Sequence, residues 1–202
     1  MNTSSPTRVR FAPSPTGYLH IGGARTALYN YLFAKINGGS MVLRIEDTDR
    51  NRYIKDSEKQ LIKDLKWLGI SWDEGPDVGG IYSPYTQSER TKLHRSHAEQ
   101  LVNIGKAYYC FCDKARLQSI RSKHKGYDEH CREIDTDIAL ERVTSGEEHT
   151  IRFRSPKQGT TTVDDLIRKN ITVKNEQLED FVLFKADGFP VYHLAAMVDD
   201  HL

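Results

Sequence analysis

Cysteine is scarce in this 202-residue chain, with three residues and therefore an odd number. That argues against a disulfide framework and agrees with a reducing compartment. Long apolar runs are missing as well. The longest, Ala107 to Cys112, falls far short of the roughly 20 residues that span a bilayer, which excludes a transmembrane helix. The opening Met-Asn-Thr-Ser-Ser-Pro-Thr has no basic start followed by an apolar stretch, so it does not read as a signal peptide. Excess charge of one sign is also absent: 29 basic against 28 acidic side chains leave +1. With no overall basic excess to release counterions from phosphates, RNA binding would have to come from a local patch. No internal repeat or low-complexity tract is visible. A cytoplasmic protein with one large or two small domains is the default.

What is present alternates. Arg8-Val-Arg-Phe-Ala12 reads as a strand and Pro13-Ser-Pro-Thr-Gly17 as a loop, because two prolines and a glycine stop any regular element. A helix runs from Gly22 to Lys35 with Ala24, Leu28 and Leu32 on one face, and Gly38-Gly39 ends it. Met41-Val-Leu-Arg-Ile45 is a second strand. Residues 57–68 carry the stripe Leu61, Ile62, Leu65 and Leu68, with Gly69 at the C-cap. Strand, helix, strand, helix predicts an α/β fold with a parallel sheet. Residues 73–84 read as a surface loop, and a helix from Ser88 to Gly105 places Leu93, His97, Leu101 and Ile104 on one side. Beyond residue 107 the texture is mixed and richer in short strands, at 107–112, 150–154, 161–163, 171–173 and 181–185, with helices at 113–124 and 136–144.

The loop between the first strand and helix, Pro13-Ser-Pro-Thr-Gly-Tyr-Leu-His-Ile-Gly-Gly23, is the most informative stretch. Glycines at a helix N-terminus let backbone N–H groups and the dipole approach a polyphosphate, with His20 donating to its oxygens. A tight strand-to-helix turn that merely needs glycine accounts for His-Ile-Gly-Gly equally well.

The neighbouring residues point further. Arg8-Val-Arg-Phe-Ala-Pro-Ser-Pro-Thr-Gly-Tyr-Leu-His-Ile-Gly-Gly-Ala-Arg-Thr-Ala-Leu28 followed by Leu43-Arg-Ile-Glu-Asp-Thr-Asp-Arg50 closely resembles the start of the glutamyl-tRNA synthetases, which are class I aminoacyl-tRNA synthetases. The resemblance continues through Trp67-Leu-Gly, Trp72-Asp-Glu-Gly-Pro-Asp and Tyr85-Thr-Gln-Ser-Glu-Arg90, and resumes in Asp187-Gly-Phe-Pro-Val-Tyr-His-Leu-Ala-Ala-Met-Val-Asp-Asp-His-Leu202. Related glutaminyl enzymes have a Pro-Pro-Glu-Pro-Asn-Gly type of loop where this chain has Ala12-Pro-Ser-Pro-Thr-Gly17, which favours glutamate. Gly23 departs from the class-wide His-Ile-Gly-His signature, a departure glutamyl enzymes share.

The resemblance implies a Rossmann-like half over residues 1–106, an inserted α+β domain for the tRNA acceptor stem over 107–190, and a return to the catalytic domain at 191–202. It implies a ligase that activates L-glutamate with ATP and Mg2+ and transfers it to the 3′ end of tRNA, as a monomer and without a membrane. Arg10 would face the substrate's side-chain carboxylate and Glu46 its α-ammonium. Ser14 and the Ala12 backbone would fix the α-carboxylate, and Tyr192 would close the pocket. Thr16, Gly17, His20 and Gly22 would meet ATP, and His20, Gly22 and Gly23 would serve the charge developing at phosphorus. Read without the resemblance, Arg10 and Glu46 fit a structural ion pair equally well.

Cys110-x-Cys112 and Cys131 can form three corners of a zinc site, with Tyr127, His130 or Glu133 as the fourth. Three buried thiols without metal fit the same spacing. Some relatives have a histidine where Glu133 stands. Lys114, Arg116, Arg121, Lys123, His124 and Lys125, then Arg152, Arg154, Lys157 and Arg168, make the local basic patch that phosphate contact requires, or a solvated face. By resemblance the chain lacks a Lys-Met-Ser-Lys-Ser type loop and anticodon-binding domains, so the expectation is a truncated chain that by itself does not complete aminoacylation. The same residues admit the shorter paralogue that glutamylates a modified tRNA base, queuosine, and a non-catalytic ATP- or tRNA-binding module.

Overall fold

The computed structural model describes residues 6–121 and 126–202. The chain forms two compact units, one of residues 1–92 with 195–202 and the other of residues 93–194.

In the first unit, β1 (Arg8–Phe11) and β2 (Ser40–Leu43) pair in parallel, with Arg10 opposite Val42. Parallel pairing demands a crossover, and α1 (Ile21–Ile36) supplies it. The segments around Glu74 and Thr86 run alongside in the same sense through isolated bridges to Val42 and Ile45. The α/β fold with a parallel sheet is as the alternation predicts. Helix α2 (Ser57–Trp67) buries Leu61 and Leu65 in the same core as Phe11, Met41, Leu43, Ile45 and Trp72.

The predicted face of α1 is corrected. Leu28 and Leu32 are exposed, and the residues buried against the sheet are Ala27 and Ala34, with Tyr31 packed beside them. Alanines let the helix backbone approach the strands closely, so small side chains take the inner face. At Gly39 there is no room at all: an added Cβ would lie 2.2 Å from the Thr7 carbonyl oxygen.

In the second unit, β3 (Ala107–Cys110), β4 (Thr150–Phe153) and β7 (Val182–Phe184) form an antiparallel sheet in the order β3-β4-β7. Strands β5 (Thr160–Asp165) and β6 (Lys169–Lys174) make a separate hairpin. Helix α3 (Thr91–Asn103) buries His94, Ala98 and Val102, one residue round from the expected stripe, and Ile104 is exposed. Helices α4 (Lys114–Arg121) and α5 (Thr136–Thr144) follow, and α6 (Tyr192–His201) carries the chain back into the first unit. Asp180, fully buried, ties this unit together: it accepts from Tyr108 (2.8 Å), the Ser155 N–H (3.0 Å) and Arg132 (2.5 Å). No helix among the described residues is long and apolar enough to cross a membrane.

Candidate active site

The loop after β1 is pinned on both sides. Glu46 N–H donates to the Pro13 carbonyl (3.0 Å), and the Pro15 carbonyl accepts from Ile54 N–H (3.1 Å) and the Ser57 hydroxyl (2.8 Å). Ser14 is exposed, Ala12, Thr16 and Gly17 are half-buried, and Thr16 N–H closes a short turn onto the Ser14 carbonyl (2.8 Å).

His20 ends the loop in an extended conformation and caps α1. Its Nδ1 accepts from Gly22 N–H (3.1 Å) and Gly23 N–H (3.3 Å). The two amides expected to meet phosphate directly are therefore held by the imidazole. Accepting at Nδ1 puts the ring proton on Nε2, so this exposed histidine presents an N–H donor at the head of a helix dipole. Glycine at 22 leaves the ring room, since a Cβ there would press on it, 3.0 and 3.1 Å from His20 Cε1 and Nδ1, and displace it by a few tenths of an ångström.

Next to the loop lies a charge cluster. Arg10 and Glu46 each hydrogen-bond to a third group, Arg10 to Asp200 and Glu46 to Arg44. Glu46, 7% exposed, accepts from Arg44 Nη2 (3.1 Å), and burial raises its carboxyl above the usual range against the pull of Arg44 and Arg10. Arg10 instead makes a two-point contact with Asp200, Nε to Oδ1 at 2.7 Å and Nη2 to Oδ2 at 2.8 Å. Arg44 Nη1 donates to the same Oδ1 (2.7 Å), and the hydrogen bond from Arg10 and then that from Arg44 hold the Asp200 carboxyl low. Asp199 accepts from Arg90 (2.8 Å) and Gln87 (2.8 Å). Arg10, Arg44, Arg90 and Asp200 line a cavity of about 450 Å³ that takes in no residue of the loop 12–23. Tyr192 opens α6 in the other unit, 59% exposed, with its ring edge-on to His193 (5.5 Å).

The three cysteines converge. Their sulfurs all lie within 4.8 Å of one another, Cys112 to Cys131 being 3.6 Å. A tetrahedral ion with bonds of about 2.3 Å has an edge of about 3.8 Å, which these separations fit. The Tyr127 hydroxyl stands 3.3 Å from Cys110 Sγ and 3.6 Å from Cys112 Sγ. Hydrogen bonds from Cys131 first, and also from Tyr127 and Arg152, pull the Cys110 thiol down to about 4 against its burial. Glu133 is 84% exposed and pairs with Arg132 and Arg154 instead, and His130 is no member of the cluster. Several of the expected basic residues are committed internally. Arg152 lies over the Tyr127 ring (3.8 Å) and donates to the Asp180 carbonyl, Arg154 donates to the Arg132 carbonyl, and Lys157 reaches Glu129 and Asp180. Arg116 pairs with Asp128 (2.8 Å). Lys114 and Arg168 are exposed. The Arg121 side chain and residues 123–125 lie outside the described residues.

Residues 6–202 match the family model of the tRNA synthetases class I (E and Q), catalytic domain. The chain belongs to that family. It is 50% identical over 204 residues to a glutamate–tRNA ligase of Dehalococcoides mccartyi and 50% identical over 202 residues to one of Borrelia duttonii, matching 98% and 96% of this chain. A crystal structure of a glutamate tRNA ligase from Elizabethkingia meningosepticum in complex with its amino acid superposes with a TM-score of 0.89 at 40% identity over 98% of this chain. The chain spans about two fifths of the length of these relatives, 41% and 40% of the two ligases and 42% of the crystallised one.

For this class I synthetase domain, reading the sequence missed Arg44, Asp199 and Asp200. The signals were present. Arg44 interrupts the apolar run Met41-Val-Leu-Arg-Ile45, where a charge stays buried only if paired. Two aspartates in the last turn of α6 oppose its dipole and need cations nearby.

Proposed function

We propose that the protein carrying this chain is a glutamate–tRNA ligase acting as a cytoplasmic monomer. An α-carboxylate oxygen of L-glutamate attacks the α-phosphorus of ATP. The bond to the departing pyrophosphate breaks. A ribose hydroxyl at the 3′ end of tRNA then attacks the acyl carbon of the glutamyl-adenylate, the acyl–phosphate bond breaks, and AMP leaves as the hydroxyl gives up its proton to a phosphate oxygen or water. Mg2+ accompanies the nucleotide and supplies positive charge to its phosphates. The observation that carries the reading is the neighbourhood of a buried carboxylate, Glu46, and the guanidiniums Arg10 and Arg44, beside a loop that ends in a helix-capping histidine. A substrate with two carboxylates and one ammonium calls for that set.

In this reading Arg10 receives the side-chain carboxylate and Glu46 the α-ammonium, while Ser14 and the Ala12 backbone orient the α-carboxylate. Thr16, Gly17, His20 and Gly22 line the nucleotide. His20 Nε2–H donates to the charge that grows on phosphate oxygens, and Gly22 and Gly23 keep the ring in place. Catalysis of this kind rests on positioning and charge stabilisation, with no covalent enzyme intermediate. Residues 107–190, within the second unit, would receive the acceptor end. Cys110, Cys112, Cys131 and the Tyr127 oxygen would hold a structural zinc ion. The test is glutamate-dependent exchange of labelled pyrophosphate into ATP, followed by analysis of the tRNA product. Exchange with glutamine but not glutamate would overturn the substrate, and glutamate on a base instead of the 3′ end would reassign the reaction.

A further inference from the structure

Arg10 stands on β1 and Arg44 directly follows β2, its N–H bonding to the Phe11 carbonyl (3.0 Å). Two guanidiniums this close repel unless an anion lies between them. Asp200, arriving from the last turn of α6, is that anion: its Oδ1 accepts from both Arg10 Nε and Arg44 Nη1 at 2.7 Å, and its Oδ2 from Arg10 Nη2 at 2.8 Å. The Arg44 side chain is only 7% exposed and also holds Glu46. The anchor of the arrangement is thus buried, whereas Arg10 keeps 36% of its side chain exposed.

A flexible arginine recognises a carboxylate well only when the plane of its guanidinium is set beforehand. The contact at Nε and Nη2 sets that plane, because two parallel N–H···O bonds hold the already planar guanidinium against rotation about the side-chain torsions that carry it. Arg44, bonded to Asp200 on one side and Glu46 on the other, makes one rigid piece of the groups assigned to the two ends of the amino acid.

We propose that Asp200 is a positioning residue for glutamate recognition: it clamps the side edge of Arg10, is itself anchored by Arg44, and so fixes the geometry in which Arg10 meets the substrate's side-chain carboxylate. This rests on the glutamate–tRNA ligase reading, in which Arg10 is the carboxylate receptor.

The test compares Asp200→Asn, Asp200→Glu and Arg10→Ala with the parent in the protein that carries this chain, by pyrophosphate exchange at varied L-glutamate and ATP. Asp200→Asn keeps the shape but loses the charge and one acceptor, and the expected result is a rise of about tenfold or more in the KM for glutamate. The ATP KM and the kcat at saturating glutamate should stay near parental values, while the unfolding midpoint falls because Arg10 and Arg44 lose the anion between them. Asp200→Glu, which restores the charge on a longer arm, should recover part of the glutamate KM, a response that a merely structural loss would not give. An unchanged glutamate KM in Asp200→Asn alongside a raised one in Arg10→Ala overturns the clamp and leaves the pocket assignment standing. An unchanged KM in Arg10→Ala overturns both. Should Asp200→Asn fail to fold, the Nε–Hε NMR resonance of Arg10 in the unmodified protein decides. Persistence of a slowly exchanging signal at saturating L-glutamate supports the clamp, and its collapse, meaning that substrate displaces Asp200, overturns it.

Discussion

His20→Asn separates two duties that the imidazole performs at once. Its Nδ1 caps α1 by accepting from Gly22 and Gly23, and its Nε2–H is the donor assigned to phosphate. Asparagine ranks with the best N-cap residues, so the cap survives the substitution. Losing the cap altogether, as in His20→Ala, costs about 0.5–2 kcal/mol. The second duty has no substitute, since the asparagine amide engaged at the helix N-terminus does not reach where Nε2 reaches. Removing one donor to developing charge lowers rates by about 10²–10³, equivalent to about 2.7–4 kcal/mol. His20→Asn is therefore expected to unfold in urea within about 0.5 kcal/mol of the parent, while pyrophosphate exchange falls by two to three orders of magnitude. His20→Ala should lose both. Gly22→Ala gives a control of opposite construction. It gains some helix propensity, less than the roughly 1 kcal/mol of a helix interior because Gly22 lies in the first turn, but presses a methyl to 3.0 Å from the ring, so stability changes by less than about 1 kcal/mol while exchange drops. Exchange within threefold of the parent for His20→Asn would refute the donor role, and a stability loss above about 2 kcal/mol would refute the cap.

Arg10→Ala and Glu46→Ala should each weaken L-glutamate binding by about 2–5 kcal/mol in calorimetry, because each leaves a substrate charge unpaired, with ATP binding little changed; parental glutamate affinity in both would reject the pocket. Freshly purified protein should contain about one zinc per chain by elemental analysis, and chelation should loosen the second unit in hydrogen exchange; zinc-free protein with unchanged exchange would reject the metal. Burial favours protonation of Asp180, yet bonds from Arg132 and Tyr108, with Ser155 N–H and Lys157, win and hold its carboxyl below the usual range. Its stabilisation is then complete above the ordinary aspartate value of about 4 and fades as pH falls through and below it. The urea midpoints of parent and Asp180→Asn should differ most near neutrality and converge towards pH 3; a constant gap would contradict this.

The alternation of strand and helix was legible because the motifs are local: Pro13 to Gly17 breaks the chain, and Gly69 sits at φ +74 directly after α2. Helix faces were less so. Periodicity ranks leucine above alanine, whereas close approach to a sheet selects Ala27 and Ala34 inward and leaves Leu28 and Leu32 outside. The loop, His20 and the cysteines stood out as candidates from local residues, but spacing alone left a plain glycine turn and metal-free thiols as equal readings, and the family resemblance supplied the role given to His20. That His20 turns its ring onto its own helix could not be read there, because the sequence does not say which nitrogen faces the backbone. The partners of Arg10 and Glu46 were hidden for a different reason: Asp200 is 190 residues from Arg10, and no local pattern encodes a contact at that distance.

That separation has a consequence for the order of assembly during synthesis. Residues 93–194 form a contiguous unit and can close as soon as they emerge, whereas the first unit waits for the last turn of α6. At ribosomal rates of about 5–20 residues per second, the intervening stretch takes on the order of 5–20 s. Through that interval the nascent β1, α1 and β2 exist without Asp199 and Asp200, with Arg10, Arg44 and Arg90 lacking these carboxylates. Over these residues the first unit is then a waiting intermediate, and the contact that joins α6 to it is one between charges, so salt that screens them should slow it.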